Sequence, residues 1–488
     1  MMNRMTVMLN KIGFWGVLSL LVLSFGCKVG KDYQRPDLDT PEYYRGADTT
    51  QLDTSNLSQV AWQNFFEDPV LKALIDSAIA NNYDMQDALK TIQIADQRLR
   101  ESKAGYLPSI DGIARSTQEW RSDNAYTSPM SKYYEEGEAP GTLFRQQSQW
   151  EIGLSLNWEL DIWGKIRRQN EASLANYLQT YEARKLLQTE LISEVAKGYY
   201  NLLTLDAQIE VAKRNLALND STLKMVKLQW DAGLITSLAI QQTEAQRLVA
   251  AALIPELEQA ISVQENALMA LTGQMPGRIK RSKTSALSTN QFQDSLSAGV
   301  PLDLLRFRPD VRAAELDLRA ANANVGVAQA YRYPALTLEA TGGLNSMLTE
   351  NWFNIPGALF GDFLGGLTQP IFKNRKLKTE YEVAKLERDK TEIAFQKSVL
   401  GAVNDVTNAL KAIQMLNKRH DIGEQKVANS RLAVKNAALL FRSGLATYLE
   451  VITAQSNALE SELDLVVLKQ LRQNARIDLY RSLGGGWK

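Results

Sequence analysis

Trp150-Glu-Ile-Gly-Leu-Ser-Leu-Asn-Trp-Glu-Leu160 alternates without a fault: Trp150, Ile152, Leu154, Leu156, Trp158 and Leu160 fall on one side, Glu151, Gly153, Ser155, Asn157 and Glu159 on the other. A period of two marks a β-strand with one apolar face. A strand of a soluble sheet can carry the same pattern, but it usually stops at about five or six residues. Eleven residues is the length a tilted strand needs to cross a bilayer, with aromatic side chains near its ends at the interfaces.

Upstream, apolar residues recur at helical spacing from Val70 to about Lys103, starting near Asp68-Pro69 and stopping at Tyr106-Leu107-Pro108, because proline cannot continue a helix. A first strand is expected to follow Pro108. The same order returns later: a helix ending at Tyr333-Pro334, an alternation through Leu336, Leu338 and Ala340, and a weaker strand over Asp362 to Phe372. Pro108 and Pro334 are offset by 226, Asp161-Ile-Trp163 and Pro370-Ile-Phe372 by 209, so the first hairpin carries about 17 more residues. These fall within Arg121 to Gln147, a polar, aperiodic stretch suited to an extracellular loop. Four strands cannot close a barrel, and unpaired strand edges are not tolerated in lipid. Strands from several chains must therefore join.

Downstream of the strand, Leu191, Val195, Gly198, Leu202, Leu205, Ile209, Ala212, Leu216, Asn219, Leu223, Val226 and Trp230 alternate at spacings of three and four, a heptad seam with only Asn219 polar. The helix over about Lys165 to Trp230 would be roughly 100 Å long at 1.5 Å per residue. It must reverse at Asp231-Ala-Gly233, where glycine supplies the left-handed conformation of a helix end. Gly233-Leu-Ile-Thr-Ser-Leu238 and Gly444-Leu-Ala-Thr-Tyr-Leu449 read almost alike and lie 211 residues apart (444 against 233), which marks a tandem duplication. Returning helices are expected over about Thr236 to Leu271 and Thr447 to Leu483, ending at Gly273 and Gly484, with a kink or register shift at Pro255.

The first 26 residues combine Arg4 and Lys11 with an apolar stretch from Ile12 to Phe25, an export signal too short to span a bilayer. Leu23-Ser-Phe-Gly-Cys27 resembles a bacterial lipoprotein cleavage box, although Leu23 sits one place further from the cysteine than usual and Phe25 replaces a small residue. Cys27 is the single cysteine of the chain, so it cannot form an internal disulfide. A diacylglyceryl group and an amide-linked acyl chain on Cys27, such as palmitate, would anchor the protein stably.

The organisation read from these patterns is a mixed α and β chain: a signal peptide at 1–26, a lipidated extended tether at 27–66, and a first half at 67–273 with a β-hairpin at about 109–160 and a helical tip near 233. A linker at 274–300 leads to a second half at 301–488, with a hairpin at about 335–372 and a tip near 444. Charge is balanced, 55 basic against 55 acidic residues, and no basic run suits nucleic acid. His420 is the single histidine, expected at the surface, and no nucleophile, metal or phosphate-loop motif stands out. Catalysis and a resident metal or cofactor are not expected.

Three stretches resemble the TolC/OprM-type (NodT-like) outer-membrane factors, the exit ducts of tripartite efflux and type I secretion systems. They are Trp158-Glu-Leu-Asp-Ile-Trp-Gly-Lys-Ile-Arg-Arg168; Ile254-Pro-Glu-Leu-Glu258 with Glu265-Asn-Ala-Leu268 and Leu271-Thr-Gly273; and Arg308-Pro-Asp-Val-Arg-Ala-Ala-Glu315 with Ala320-Ala-Asn-Ala323 and Val325-Gly-Val-Ala-Gln-Ala330. The resemblance implies a homotrimer whose chains give twelve strands to one outer-membrane barrel continued by a helical coiled-coil barrel across the periplasm. It implies a periplasmic adaptor (membrane fusion) protein and an inner-membrane transporter as partners, with substrates conducted passively. It places adaptor docking at the tip residues Gly233, Thr236, Leu238, Gly444, Thr447 and Leu449. Family members place acidic residues at the constriction; Glu450 matches one such position, its counterpart in the first half is Ala239, and a second is Thr453. The competing reading is a non-transporting coiled-coil envelope lipoprotein scaffold, which explains the heptads but not the strands.

Overall fold

The computed structural model describes residues 29–38, 41, 43–45, 57–121, 145–284, 287 and 300–488. Signal peptide, Cys27 and the stretch 122–144 lie outside the described residues. Two compact units divide the chain: Met1–Gln34, Asp96–Ala175 and Leu318–Lys390 form one, Arg35–Ala95, Asn176–Asp317 and Thr391–Lys488 the other. Among the described residues the longer helices are α1 (Pro69–Asn81), α2 (Tyr83–Ala104), α3 (Lys165–Asp231), α4 (Ser237–Leu271), α5 (Pro309–Ala330), α6 (Lys376–Arg442) and α7 (Tyr448–Ser482).

The first unit holds a four-stranded antiparallel sheet in the order β1 (Ser109–Arg121), β2 (Arg145–Leu160), β3 (Ala335–Ser346), β4 (Leu359–Thr368). Register carries the alternation of β2 across the whole sheet. Ile110 faces Leu156 and Ala114 faces Ile152; Leu156 faces Ala340 and Ile152 faces Leu344; Ala340 faces Phe363 and Leu336 faces Leu367. One face is therefore apolar and the other carries Asp111, Glu151, Asn157, Glu339 and Asp362. The apolar face is bare: Phe363 is 74% exposed, Leu367 66% and Leu154 61%. A soluble sheet covers such a face. β1 and β4 are the outer strands.

Local chemistry moved several boundaries. The apolar spacing predicts one helix from Val70 to Lys103, but Asn82 divides it. Its backbone N–H closes α1 on the Ala78 carbonyl, 2.9 Å away, and its side chain caps α2 by accepting the Met85 amide at 3.0 Å. β4 spans Leu359–Thr368, not Asp362 to Phe372, because Pro370 has no amide to donate and ends the ladder. Arg121 and residues 145–147 belong to strands rather than to a loop, Arg121 pairing with Arg145. α4 runs through Pro255 unbroken.

The second unit centres on a core of Trp62, Phe65, Phe66, Leu71, Ile75, Tyr199, Leu202, Leu203, Leu268 and Tyr480. Phe65 stacks on Tyr480 with centroids 4.1 Å apart. Asp68 caps α1 through the Val70 amide at 2.8 Å and also accepts from Tyr199 at 2.9 Å and Ser282 at 2.9 Å. Burial pushes the Tyr199 hydroxyl up to about 12, so it stays protonated and donates to Asp68. Ile279 and Leu287 are buried, which makes that part of the 274–300 stretch packed core rather than a free linker. His420 is also buried, at 9% exposure, contrary to the surface expectation; Glu424, one turn on, lies 3.6 Å from its Nε2.

The heptad seam of α3 is buried at Leu191, Val195, Leu202, Ala212, Asn219, Leu223 and Val226. Asn219 donates to the Asn215 carbonyl at 3.0 Å and to its Oδ1 at 2.7 Å, which satisfies its amide NH2, while its own buried Oδ1 has no partner among the described residues. Trp230, the last seam position, is 47% exposed.

Candidate docking and gating tip

Both helical turns use one device. Gly233 has φ +71; its N–H donates to the Trp230 carbonyl at 2.8 Å and the Leu234 N–H to the Gln229 carbonyl at 2.9 Å. Gly444 has φ +72, with the matching bonds from Gly444 to Phe441 at 3.2 Å and from Leu445 to Leu440 at 2.9 Å. This six-to-one and five-to-two pair is the Schellman closure. A Cβ at either glycine would meet nothing within 4 Å, so the requirement is conformational. Thr236 and Thr447 then hold extended backbone one residue before α4 and α7.

Past the turns, the two hairpins differ. The Glu450 carboxylate accepts the Thr447 amide at 2.6 Å and the Thr447 hydroxyl, while Thr236 makes no side-chain cap bond. Those two bonds, the hydroxyl's first, hold the Glu450 carboxyl below the usual range. Ala239 is fully buried and Glu450 exposed. Ala239, Val226, Phe441 and Val451 form one apolar cluster, so the two turns pack together. Tyr448 donates from α7 to Gln242 Oε1 of α4 at 2.6 Å. Thr453 is exposed one turn beyond Glu450.

Around this cluster the surface is apolar in matched places. Leu234 is 72% exposed and Leu445 75%; Leu238 and Leu449 are also exposed, as are Leu228 and Leu439. Leucines left in water at the same places in both hairpins make this end a candidate interaction surface. The tip assignment thus brings together Gly233, Thr236, Leu238, Gly444, Thr447 and Leu449, and gives Glu450 a local task that sequence reading did not foresee. The signal was present: Thr447-x-x-Glu450 is a capping box.

A second arrangement was missed. In the first unit Arg168 is almost fully buried, donating to the Gly30 carbonyl at 2.9 Å and the Val29 carbonyl at 3.4 Å, with Glu171 Oε2 2.6 Å and Asp32 Oδ1 3.2 Å away. Val29 donates to the Trp163 carbonyl at 3.3 Å. Gly30 rests on Gly326 of α5, the Lys31 carbonyl accepts from Asn322 at 3.0 Å, and Tyr33 lies under the Arg319 guanidinium. In the second unit Arg35 forks onto Glu315 with two 2.8 Å bonds. Two residues of extended chain advance about as far as one turn of helix, which keeps strap and α5 in step. The part of the expected tether that these contacts cover, residues 29–35, is extended but seated.

Among the described residues no helix is long and apolar enough to cross a membrane. The profile of the family described as "Outer membrane efflux protein" matches residues 74–274 and 300–485. The cation efflux system protein CusC of Escherichia coli O6:H1 is 28% identical over 475 residues, 95% of this chain and 96% of the relative. The toluene efflux pump outer membrane protein TtgI of Pseudomonas putida is 30% identical over 478 residues, 96% and 97%. Among solved structures, the outer-membrane channel OprN superposes with a TM-score of 0.84 at 25% identity, covering 94% of this chain and 100% of OprN. The bare apolar sheet, the long paired helices and these matches have one explanation: the chain belongs to the outer membrane efflux protein family.

Proposed function

We propose that this outer-membrane efflux channel works as a homotrimeric, passive exit duct, receiving cargo from an inner-membrane transporter through a periplasmic adaptor. The observation that carries the trimer is the sheet: four strands, an exposed apolar face and two outer strands that lipid would leave unpaired. Three chains would close twelve strands. A coiled-coil scaffold leaves that face without a purpose. The duplication is supported by helix bounds that repeat at one offset: α3 and α6 each have 67 residues, α4 and α7 each 35, and both pairs start 211 apart (376 against 165, 448 against 237).

Cargo does not follow from the duct. CusC is named for cations and TtgI for toluene at similar identity to this chain, so selectivity belongs upstream of the fold they share. The adaptor is assigned to the exposed leucines flanking Gly233 and Gly444, and the constriction to Glu450 and Thr453. Lipidation of Cys27 is supported by the seat that begins at Val29, two residues later. The domain limits read from the sequence stand as part of the same proposal.

The deciding experiment is Gly444→Trp. Its side chain would strain the +72° turn and fill the space beside Leu445. Crosslinking to the adaptor is expected to vanish while a heat-modifiable trimer is still recovered from outer membranes; undiminished crosslinking refutes the docking assignment, and a monomer freed by lipid removal alone supports the scaffold. Glu450→Ala is expected to raise single-channel conductance in planar bilayers, and an unchanged value removes Glu450 from the constriction. Mass analysis of the mature N-terminus tests the acylation, which an unmodified thiol would contradict.

A further inference from the structure

The 211-residue repeat fixes more than the two tips. Each long helix pairs with its own return: Arg247 of α4 meets Asp220 of α3 at 2.5 Å, and Arg431 of α6, which stands at the Asp220 position of the repeat, meets Glu462 of α7 at 2.6 Å. The two hairpins then join within the chain through α3 and α7. Asn215 donates to the Gln455 carbonyl at 3.3 Å, Gln455 donates to the Thr222 hydroxyl at 2.8 Å, and Arg214 reaches Glu462 at 2.9 Å. One turn from Asn215 and from Gln455, Val211 and Leu459 are buried as well, at 4% and 7% exposure.

The matching positions on α6 and α4 are left in water. Moving 211 residues forward from α3 and 211 back from α7 turns Asn215 with Gln455 into Lys426 with Glu244, and Val211 with Leu459 into Ile422 with Leu248. Ile422 is 66% exposed and Leu248 54%. Lys426 is exposed, reaching Asp464 at 3.0 Å, and Glu244 is half-buried with Arg247 Nη1 3.4 Å away. Because the halves repeat, a ring of three chains holds six hairpins and one kind of joint, made three times within chains and three times between them. We propose that α6 of one chain packs on α4 of a second copy in the register of α3 on α7, with Lys426 against the partner's Glu244 and Ile422 against the partner's Leu248. The opposite charges and the apolar pair one turn away fit that occupant. The inference rests on the trimer proposed above and adds the register of its joint. It also makes the joints chemically unequal: a buried layer of neutral amides within the chain, and between chains an ion pair that salt screens.

The test uses the full-length protein carrying Glu244→Cys and Lys426→Cys together, oxidised in the outer membrane and run unreduced on a denaturing gel. Covalent dimers and trimers are expected from this double variant and from neither single one, Cys27 being the only native cysteine. Glu244→Cys with Ala433→Cys, two turns and ~10 Å out of register, is expected to stay monomeric on the gel. A monomer band from the first pair, or equal crosslinking by both pairs, overturns the proposal. A charge cycle gives the second readout: Glu244→Lys and Lys426→Glu are each expected to lower the temperature at which the trimer dissociates, and the two together to lower it by less than their separate effects combined. A fully additive loss refutes the pairing. Failure of the unsubstituted chain to give a heat-modifiable trimer would strike the trimer reading itself, whereas an intact trimer without crosslinks strikes only the register.

Discussion

Gly30→Ala isolates the strap from the rest of the protein. Gly30 has φ +86, a conformation that costs an L-residue about 1–2 kcal/mol. The added Cβ would stand 2.9 Å from the Gly326 Cα, a backbone atom of α5 that cannot swing aside, and 3.5 Å from Arg168 Nε. Relieving that contact means lifting the strap, for a further ~1 kcal/mol or more. Seating is a balance that sets the backbone entropy of seven residues against their packing, hydrogen bonds and one forked ion pair. A shift of about 2 kcal/mol moves that balance roughly 30-fold. The readout is hydrogen exchange across residues 29–35, where the Val29 amide is held by the Trp163 carbonyl. Exchange is expected to quicken by at least that factor, while peptides of the Phe65, Tyr199 and Tyr480 core keep their protection. Unchanged exchange in the strap refutes the seat, and a loss of protection throughout refutes its independence.

Acid should weaken the protein through His420, whose imidazole burial holds below its usual range, helped by Arg472 and Lys469 of α7 and opposed by Glu424 and Asp421 of α6. A depressed folded value means the unfolded chain binds the proton more tightly, so stability is lost as pH falls below about 6.5 and on through the folded value; His420→Gln should flatten that part of a thermal-dissociation profile. Glu450 obeys the same sign at lower pH: its bonds to Thr447 are intact above the ordinary glutamate range and fail as pH falls through its depressed value. Protection of the amides at the start of α7, taken relative to the intrinsic exchange rate at each pH, should therefore fall in acid, and Glu450→Gln should remove that pH dependence. Gly198→Ala places a Cβ 2.8 Å from Leu268 Cδ2 and 2.9 Å from Gln264 Nε2, where α3 meets α4, and should destabilise by about 1–3 kcal/mol in denaturant titration.

What could be read from the sequence was what depends on near neighbours. The period of two in β2 and the left-handed glycines of the turns are local requirements, and each fell where expected. β4 was placed three residues late because Gly361, Gly365 and Gly366 blur its alternation. Asn82 escaped notice since apolar spacing continues across it, and only a capping bond reveals the break. Strap contacts join residues about 290 positions apart, as between Lys31 and Asn322, and an extended segment has no period to announce them. His420 is buried by packing that a charged helical stretch does not disclose. Both helical turns fall at the glycines expected, but the chemistry inside them depends on which face each hairpin turns inward.

The equal lengths of α3 and α6 constrain how this protein can change. Each residue of a helix turns the chain by about 100°, so deleting one residue from α3 alone would rotate Gly233 and every leucine near it a quarter-turn or more out of phase with Gly444. A deletion of seven in one helix would restore the angle but draw that turn back by about 10 Å. The Tyr448–Gln242 bond and the Val226, Ala239, Phe441, Val451 cluster tolerate neither. Length in this chain can therefore be edited only in matched pairs, by whole heptads, in both helices at once.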